Sequence, residues 1–311
     1  MSEVLLETSS LTKEYGRRNV VDGVNIHVKK GSIYGLIGKN GAGKTTLMKM
    51  ICGMSRPTSG SFEYNGFKGG NREAFGKIGS LIEIPAIMPQ LTAHDNLKMK
   101  CLAYNYGDEA FISETLNLVG LGKTGKKKAA KFSLGMKQRL GIALALAGNP
   151  DILLLDEPIN GLDPQGIAEM RDILIRLNRE RGITIIISSH ILAELAKLAT
   201  DYAIIDNGKI IEESTREELE LKCRSKLVIK CTDADRAAEI IRASGHSDIE
   251  VADPETIHIF EADDDVGPQM NMKICQAGIL VKSFAFEMID LEDYFLDTIR
   301  GGVKASAKEV V

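Results

Sequence analysis

The fold of this chain is decided by residues 38–46, which read Gly38-Lys39-Asn40-Gly41-Ala42-Gly43-Lys44-Thr45-Thr46. This stretch matches G-x-x-x-x-G-K-T, the pattern of a phosphate-binding loop. The apolar run Ile33–Ile37 before it suits a buried strand, and the residues from Thr46 to Ile51 continue as a helix that Gly53 ends. Glycines let backbone N–H groups surround a phosphate, and a helix N-terminus adds free donors and a positive dipole end. The sequence therefore predicts a nucleoside triphosphate site.

Individual residues of this loop have separate predicted roles. Lys44 is predicted to reach the β- and γ-phosphates, and the Thr45 hydroxyl to ligate Mg²⁺. The other predicted contacts with the nucleotide are made by Gly38, Asn40, Gly41, Ala42, Gly43 and Thr46. A glycine-rich turn that matches by chance is the alternative, but average composition gives such a match in only about 1% of chains of this length.

Composition excludes several classes of protein. The 311 residues are 44% hydrophobic and 26% charged, which is ordinary for one large or two smaller globular domains. The net charge of −4 gives no reason to expect a nucleic-acid partner. Five dispersed cysteines without a C-x-x-C pair suggest reduced thiols in the cytosol. No apolar run is long enough to cross a bilayer, so we expect a cytoplasmic protein for which any membrane span comes from another chain.

The order of predicted elements indicates two domains. Over residues 1–220, strands alternate with helices as in a parallel α/β sheet, and helical periodicity dominates an inserted lobe at about 85–149. Thr92 and Asp95 have the spacing of a capping box at the start of that lobe. Residues 221–311 change to a small α+β pattern that lacks a catalytic cluster.

Two carboxylates follow the apolar run Ile152–Leu155, which suits a central parallel strand. In phosphate-loop enzymes an aspartate at such a strand end holds Mg²⁺ through water, which is the role predicted for Asp156. Glu157 is positioned to act as general base toward the attacking water. The alternative is a pair of solvated carboxylates, which is less plausible downstream of a phosphate loop.

A stretch before that strand resembles the signature motif of the ATP-binding cassette (ABC) ATPases. Residues 132–139 read Phe-Ser-Leu-Gly-Met-Lys-Gln-Arg, where the family usually has L-S-G-G-Q. Ser133 and Gly135 match, whereas Leu134 and Met136 depart from the pattern. The matching pair can bind γ-phosphate through a hydroxyl and the N–H groups of a helix start.

Three shorter matches complete this resemblance, which covers about residues 1–220. Asn160 to Asp163 is similar to the D-loop, which assigns Asp163 to the nucleotide site, and His190 resembles the switch histidine that contacts γ-phosphate. From the residues alone, Tyr15 either packs in the Leu11–Gly16 connection or stacks on a purine; the resemblance implies stacking on adenine. The implied fold is a RecA-like parallel core with an antiparallel β-subdomain, a helical subdomain and, here, the C-terminal α+β domain.

One departure from the family narrows the resemblance. The family places a glutamine at the strand end before the helical lobe, where this chain has Glu83. Glutamate in a Leu-Ile-Glu-x-Pro context resembles the cassettes of bacitracin-resistance and lantibiotic-immunity exporters. At the hinge between the sheet and the helical lobe, Glu83 is expected to sense Mg²⁺ and the attacking water and to add a negative charge beside Asp156 and Glu157, while its loop touches the permease. We therefore assign Glu83 to the catalytic and metal sites; the alternative is that it only caps the loop that follows.

The resemblance implies a set of ligands and partners. These are ATP and Mg²⁺, a second copy of the chain in a head-to-tail homodimer, and a permease that holds the protein at the inner face of the plasma membrane. A soluble cassette acting on ribosomes or DNA is the competing interpretation, but those members usually carry two cassettes or long heptad insertions. A phosphate-loop kinase would not need a signature motif.

Overall fold

The strands and helices alternate along most of the chain. The structure, a computed structural model, describes residues 3–69, 75–222, 226–260 and 266–287, together with 294, 295 and 298. Its strands are β1 Val4–Tyr15, β2 Arg18–Val24, β3 His27–Lys29, β4 Ile33–Ile37, β5 Ser59–Tyr64, β6 Phe67–Lys68, β7 Ile78–Leu81, β8 Ile152–Asp156, β9 Thr184–Ser189, β10 Asp201–Asp206, β11 Lys209–Thr215, β12 Lys226–Cys231, β13 Ile249–Asp253, β14 Thr256–Phe260 and β15 Val281–Glu287. Its helices are α1 Lys44–Ile51, α2 Ala93–Tyr104, α3 Glu109–Leu118, α4 Leu134–Ala145, α5 Pro164–Arg181, α6 Leu192–Ala196, α7 Arg216–Lys222, α8 Ala234–Ala243 and α9 Val266–Gln276. The contacts divide the chain into two compact units between Arg216 and Glu217.

The predicted parallel sheet is confirmed as the core of the first unit. Its strand order is β11-β10-β4-β9-β8-β7. All neighbours pair in parallel except β10 and β11, which form an antiparallel hairpin across Asn207 and Gly208. Every residue of β4 and β8 is buried, as their unbroken apolar sequences require. The carboxyl ends of these strands therefore lie along one edge, where β4 leads into the phosphate loop and β8 ends at Asp156.

A second sheet of the first unit is antiparallel, in the order β2-β1-β5-β6, with β3 also paired to β1. The prediction of Leu11–Gly16 as a connection is wrong, because β1 continues to Tyr15 and turns at Gly16 and Arg17 into β2. The residues after Leu11 are polar and partly exposed, so this half of the strand has no alternation of apolar side chains.

Helices α2, α3 and α4 lie between β7 and β8 in the chain and account for the predicted helical lobe. The capping box is confirmed: Thr92 Oγ1 accepts a hydrogen bond from the Asp95 N–H, and the Asp95 side chain accepts one from the Thr92 N–H. Helix α4 packs closely on the segment after β7, since a Cβ on Gly141 would lie 2.8 Å from Leu81 Cδ1 and 2.9 Å from Pro85 Cβ.

The second unit has the chain order β12-α8-β13-β14-α9-β15 and the antiparallel sheet order β13-β14-β12-β15. This is the βαββαβ arrangement of ferredoxin-like folds. Its core is aliphatic and includes Leu227, Ile229, Ile241, Ile257, Ile259 and Ile274. Strand β13 was not predicted, because it carries polar residues at alternate positions and ends at Asp253. The sequence pattern also predicts a helix over residues 291–299, and this stretch lies mostly outside the described residues.

Candidate nucleotide-binding site

The phosphate loop has a backbone that requires glycine. Gly41 and Gly43 have φ values of 82° and 111°, in the region that side chains disfavour. A Cβ on Gly38 would lie 2.5 Å from the Ile205 carbonyl oxygen, and one on Gly43 would lie 2.6 Å from that of Val20. The Gly208 N–H, in the β10–β11 turn, donates to the Ala42 carbonyl at 2.9 Å. The loop is thus held by the core sheet and the antiparallel sheet together.

Lys44 begins helix α1 and is buried, with 5% of its surface exposed. Its Nζ donates to the Gly38 carbonyl at 2.5 Å and to the Lys39 carbonyl at 3.2 Å. The same nitrogen lies 3.3 Å from Glu157 Oε1. A buried ammonium is stable only with such partners, so the loop orients this charge before any phosphate binds.

A pocket of about 150 Å³ opens over the loop. It is lined by Val20, Lys39, Asn40, Gly41, Ala42, Gly43, Lys44, Thr45, Thr46 and Glu157. It therefore gathers the predicted phosphate contacts and the predicted base. Gly38 supports Lys44 through its carbonyl group rather than lining this pocket.

The side chains predicted to hold Mg²⁺ meet below this pocket. Thr45 Oγ1 donates to Asp156 Oδ2 at 2.8 Å, and Ser188 Oγ donates to Asp156 Oδ1 at 2.7 Å. Hydroxyl and carboxylate oxygens are the hard ligands that Mg²⁺ prefers when phosphate and water complete its shell. Within the described ranges, no group of three His, Cys, Asp or Glu side chains is placed to hold a metal ion by itself. The residues present fit a phosphate-bound Mg²⁺.

Glu157 is held in a strained conformation by several partners. Its φ is 49°, in the left-handed region, and its N–H donates to Ser188 Oγ at 2.9 Å. Its Oε2 accepts a hydrogen bond from His190 Nδ1 at 2.7 Å. Its buried Oε1 makes no hydrogen bond, because the contact with Lys44 is an ion pair outside hydrogen-bonding geometry. Glu157 thus has one carboxylate oxygen without a hydrogen bond, buried beside the Lys44 ammonium.

His190 reaches the site from the end of β9. Because an ionised carboxylate can only accept, the proton of its contact with Glu157 belongs to Nδ1, which leaves Nε2 for another partner. The side chain is 37% exposed, so Nε2 is accessible to a ligand. This geometry agrees with a histidine that orients the base and contacts phosphate.

Glu83, predicted to add its charge beside Asp156 and Glu157, is paired with a lysine in this structure. Its side chain is 60% exposed, and its Oε1 accepts a hydrogen bond from Lys49 Nζ at 2.7 Å. Among the described residues no hydrogen bond or ion pair joins Glu83 to Asp156 or Glu157. Its φ is 59°, so the backbone changes direction sharply after β7. The hydrogen bond to Glu83 is the largest influence on Lys49 and raises its pKa; burial opposes this, and the negative charges of Glu83 and Asp156 add to the rise.

Tyr15 stands at the tip of the β1–β2 hairpin with 54% of its surface exposed. Lys13 Nζ lies 5.0 Å from the centroid of its ring. The ring therefore presents a face to solvent and is not a packing residue of the core. It does not line the pocket over the phosphate loop, and stacking on adenine stays a prediction.

The signature residues form a different pocket from that of the phosphate loop. Ser133 caps α4, and its Oγ accepts from the Met136 N–H at 3.3 Å; Asp163 caps α5 through the Gly166 N–H at 2.9 Å. A cavity of about 440 Å³ is lined by Ser133, Leu134, Gly135, Arg139, Gly161, Leu162, Asp163, Gln165, Gly166, Glu169 and Met170. It shares no residue with the phosphate-loop pocket, so one chain does not bring Ser133, Gly135 or Asp163 to Lys44.

Two residues of the site were missed by sequence reasoning. Ser188 bonds both Asp156 and the backbone of Glu157, and Lys49 binds Glu83. A polar residue at the end of the apolar run Ile185–Ile187 was a signal for Ser188. Lys49 follows Thr45 by one helical turn and so lies on the same face of α1.

Comparison with known proteins identifies relatives of this arrangement. The ABC transporter family matches residues 21–160. The bacitracin transport ATP-binding protein BcrA of Enterococcus faecalis is 41% identical over 303 residues, which are 96% of this chain and 98% of that protein. The lantibiotic transport ATP-binding protein SrtF of Streptococcus pyogenes is 47% identical over 209 residues, covering 67% of this chain and 90% of that protein.

A solved structure has the same fold. The ATP-binding cassette MJ0796, in a dimeric post-hydrolysis state bound to ADP and Pi, superposes with a TM-score of 0.62 at 25% identity. The match covers 68% of this chain and 99% of that one. In the part of the chain that the structure describes, each helix is too short or too polar to cross a bilayer.

Proposed function

This chain belongs to the ABC transporter family as an ATP-binding, ATP-hydrolysing protein, and from that premise we propose that it drives a bacterial exporter of peptide antibiotics through a separate permease. The relatives named for bacitracin and lantibiotic transport support this class of cargo. The observation that carries the catalytic part is the convergence of Lys44, Asp156, Glu157 and His190 at the carboxyl edge of the parallel sheet.

The residues of this edge have distinct chemical roles in the proposal. Glu157 Oε1 accepts a proton from the water that attacks γ-phosphate, and His190 fixes the carboxylate through Nδ1. Lys44 turns its buried charge from Glu157 to the β- and γ-phosphates. Thr45 and Asp156 would hold Mg²⁺, whose chemistry is to neutralise the charge that develops on the phosphate oxygens. Tyr15 offers its exposed ring to adenine.

A second copy of the chain would complete the site. The signature pocket and the phosphate-loop pocket are separate within one chain, and each is open to solvent. A head-to-tail homodimer would place Ser133 and Gly135 of one copy against the γ-phosphate bound by Lys44 of the other. The dimeric MJ0796 cassette supports this assembly.

Light scattering of the Glu157→Gln variant tests the dimer. With Mg-ATP we expect twice the monomer mass, because slow hydrolysis preserves the γ-phosphate that joins the copies. The same variant carrying Ser133→Arg is the matched control and should stay monomeric. A Glu157→Gln sample that remains monomeric with saturating ATP, alone and with its permease, contradicts the head-to-tail assembly.

A groove beside Glu83 suits the permease. It has a volume of about 140 Å³ and includes Leu81, Pro85 and Gly141, with Met54 and Ile84 at its rim. Met54 is 62% and Ile84 84% exposed, so apolar surface is left uncovered where an apolar segment of a permease could pack. The chain would thereby be peripheral to the inner face of the membrane.

Affinity purification from detergent-solubilised membranes tests this part. We expect the wild-type chain to copurify with an integral membrane protein encoded beside it, and Ile84→Lys to lose that partner while still binding ATP. Copurification with ribosomes or DNA instead would overturn the transporter role.

The C-terminal unit is proposed to tune activity without entering the chemistry. Its core is aliphatic, and its charged side chains form exposed pairs such as Lys282 with Glu255. The described part of the unit contains no polar cluster that could take part in the chemistry. We therefore assign the unit a role in contacts with the permease or with the second copy.

A further inference from the structure

The pair formed by Lys49 and Glu83 carries an inference that deepens the proposed function and rests on it. Three acidic side chains lie near the carboxyl ends of β7 and β8, and each has its own partner. Asp156 is bonded by two hydroxyl groups, and Glu157 is bonded by His190 and lies beside Lys44. Glu83 is neutralised by Lys49. The amino group of Lys49 is therefore the counter-ion of Glu83 in this structure.

Lys49 lies on the helix that carries Thr45 and reaches the segment after β7, where it binds Glu83. It follows Thr45 by one turn of α1, so both side chains lie on one face of that helix. The negative charge of Asp156 is among the influences that raise the pKa of Lys49. The ammonium of Lys49 also binds Glu83, which lies two residues after the end of β7. Helix α4 packs against the residues on both sides of Glu83, Leu81 and Pro85.

The contact holds Glu83 weakly. Its side chain is 60% exposed and that of Lys49 30%, and exposed ion pairs contribute little because water competes for both charges. The backbone of Glu83 is at a φ of 59°, which a residue with a side chain adopts only at a cost. A weak pair over a strained backbone can be exchanged for another counter-ion without breaking a packed core.

We infer that Lys49 is a positioning residue for Glu83, and that Lys49 and the nucleotide-bound Mg²⁺ are alternative counter-ions for this one carboxylate. Without nucleotide, Lys49 neutralises Glu83 and keeps it away from Asp156. With Mg-ATP in the loop, Glu83 would be able to turn to the divalent ion, and Lys49 would then be able to turn toward the phosphates. A glutamine at position 83 would have no charge for Lys49 to neutralise, so this exchange depends on the glutamate.

The strength of Mg²⁺ coupling tests the inference without measuring hydrolysis. The dissociation constant of the full-length chain for AMPPNP, an ATP analogue that is not hydrolysed, is measured by calorimetry with Mg²⁺ and with EDTA. The dissociation constant with EDTA, divided by the one with Mg²⁺, reports how strongly the metal and the nucleotide are coupled. In Lys49→Met, where Mg²⁺ has no competitor, we expect this ratio to rise about two- to fivefold, the range expected for one exposed ion pair. Lys49→Arg keeps the charge and should resemble the wild type.

Two further variants separate this role from a structural one. In a Glu83→Gln background, Lys49→Met should leave the ratio unchanged, because the shared carboxylate is absent. Lys98→Met, which removes an exposed partner of Glu109 in the same unit, is the matched control and should also leave it unchanged. A rise that persists in Glu83→Gln, or no rise in Lys49→Met, overturns the inference. Failure of the wild type to bind AMPPNP at all would instead contradict the proposed function.

Discussion

Two neighbouring strands of the core sheet end in the same way, yet their ends serve different purposes. Strands β7 and β8 pair in parallel, and each is followed by a glutamate with a left-handed backbone, Glu83 at 59° and Glu157 at 49°. Such a conformation costs about 1–3 kcal/mol and persists where the surroundings enforce it. Glu157 is 19% exposed and has contacts from Lys44, Ser188 and His190, whereas Glu83 is 60% exposed and is held by Lys49.

The difference separates a fixed group from a movable one. A base must stay within reach of one water molecule, so many partners around a buried carboxylate favour catalysis. A side chain that responds to a ligand must be able to change partners, so one exposed contact is more suitable. Similar backbone strain at two adjacent strand ends thus accompanies two different proposed roles, and the two glutamates differ in their number of partners.

The largest effect on hydrolysis is expected from Glu157→Gln. The amide cannot accept the proton from water, so kcat should fall about 10²- to 10⁴-fold, the usual contribution of a general base. ATP affinity should remain near that of the wild type, because Lys44 and the loop are unchanged. Steady-state kinetics and calorimetry measure the two quantities. A kcat near the wild-type value would show that Glu157 is not the base.

A smaller fall in kcat is expected from Ser188→Ala, which removes a hydrogen-bonding partner that Glu157 has and Glu83 does not share. The hydroxyl bonds Asp156 and the backbone of Glu157, so its loss should lower kcat about 10- to 100-fold, as for other groups that orient metal ligands. Ser32→Ala is the control, since this buried serine precedes β4 and bonds the Lys29 carbonyl. Equal loss in both variants would mean that hydrolysis reports general stability rather than the orientation of the site.

Substitution of Glu83 should change hydrolysis by about fivefold or less, because one exposed ion pair is worth no more than about 1 kcal/mol. Glu83→Gln and Glu83→Ala are compared in the assembled transporter over a range of Mg²⁺ concentrations. Both should need more Mg²⁺ for half-maximal transport. If both variants keep full transport and unchanged Mg²⁺ dependence, Glu83 does not link Mg²⁺ binding to transport.

The smallest effect on hydrolysis should follow Ile257→Ala in the core of the C-terminal unit. Emptying this fully buried position should destabilise that unit by about 2–5 kcal/mol. The ATPase rate without permease should nevertheless stay within about twofold of the wild type, an ordinary tolerance for a distant site. Thermal unfolding and kinetics measure the two responses, and a parallel loss of ATP binding would contradict the proposed independence of the two units.

Sequence patterns predicted the catalytic edge better than its surroundings. The phosphate loop, β8 and the full extent of α5 were predictable because apolar runs, glycine spacing and a Pro164 start are local signals. The polar half of β1 and the whole of β13 were not, because strands with exposed faces lack an apolar period.

The same contrast holds within the site. Lys44, Thr45, Asp156 and Glu157 stand next to strand ends or in a known loop, so their roles could be predicted from position alone. The partners of Glu83 and Glu157 could not, because Lys49 and Ser188 are brought to them only by the packing of α1 and β9. The charge on Glu83 was predictable, but the cation that neutralises it was not.

The turn between β10 and β11 contains an amide whose hydrogen exchange should report on nucleotide binding. Its Gly208 N–H is bonded to the Ala42 carbonyl of the phosphate loop, and its carbonyl accepts from the Asp22 N–H of β2. Exchange of this amide proton with deuterium requires the loop and the turn to separate. Nucleotide that rigidifies the loop should therefore slow exchange at Gly208 in proportion to its affinity. Mass spectrometry of one short peptide around Asn207 could then rank ligands for the whole site without a label.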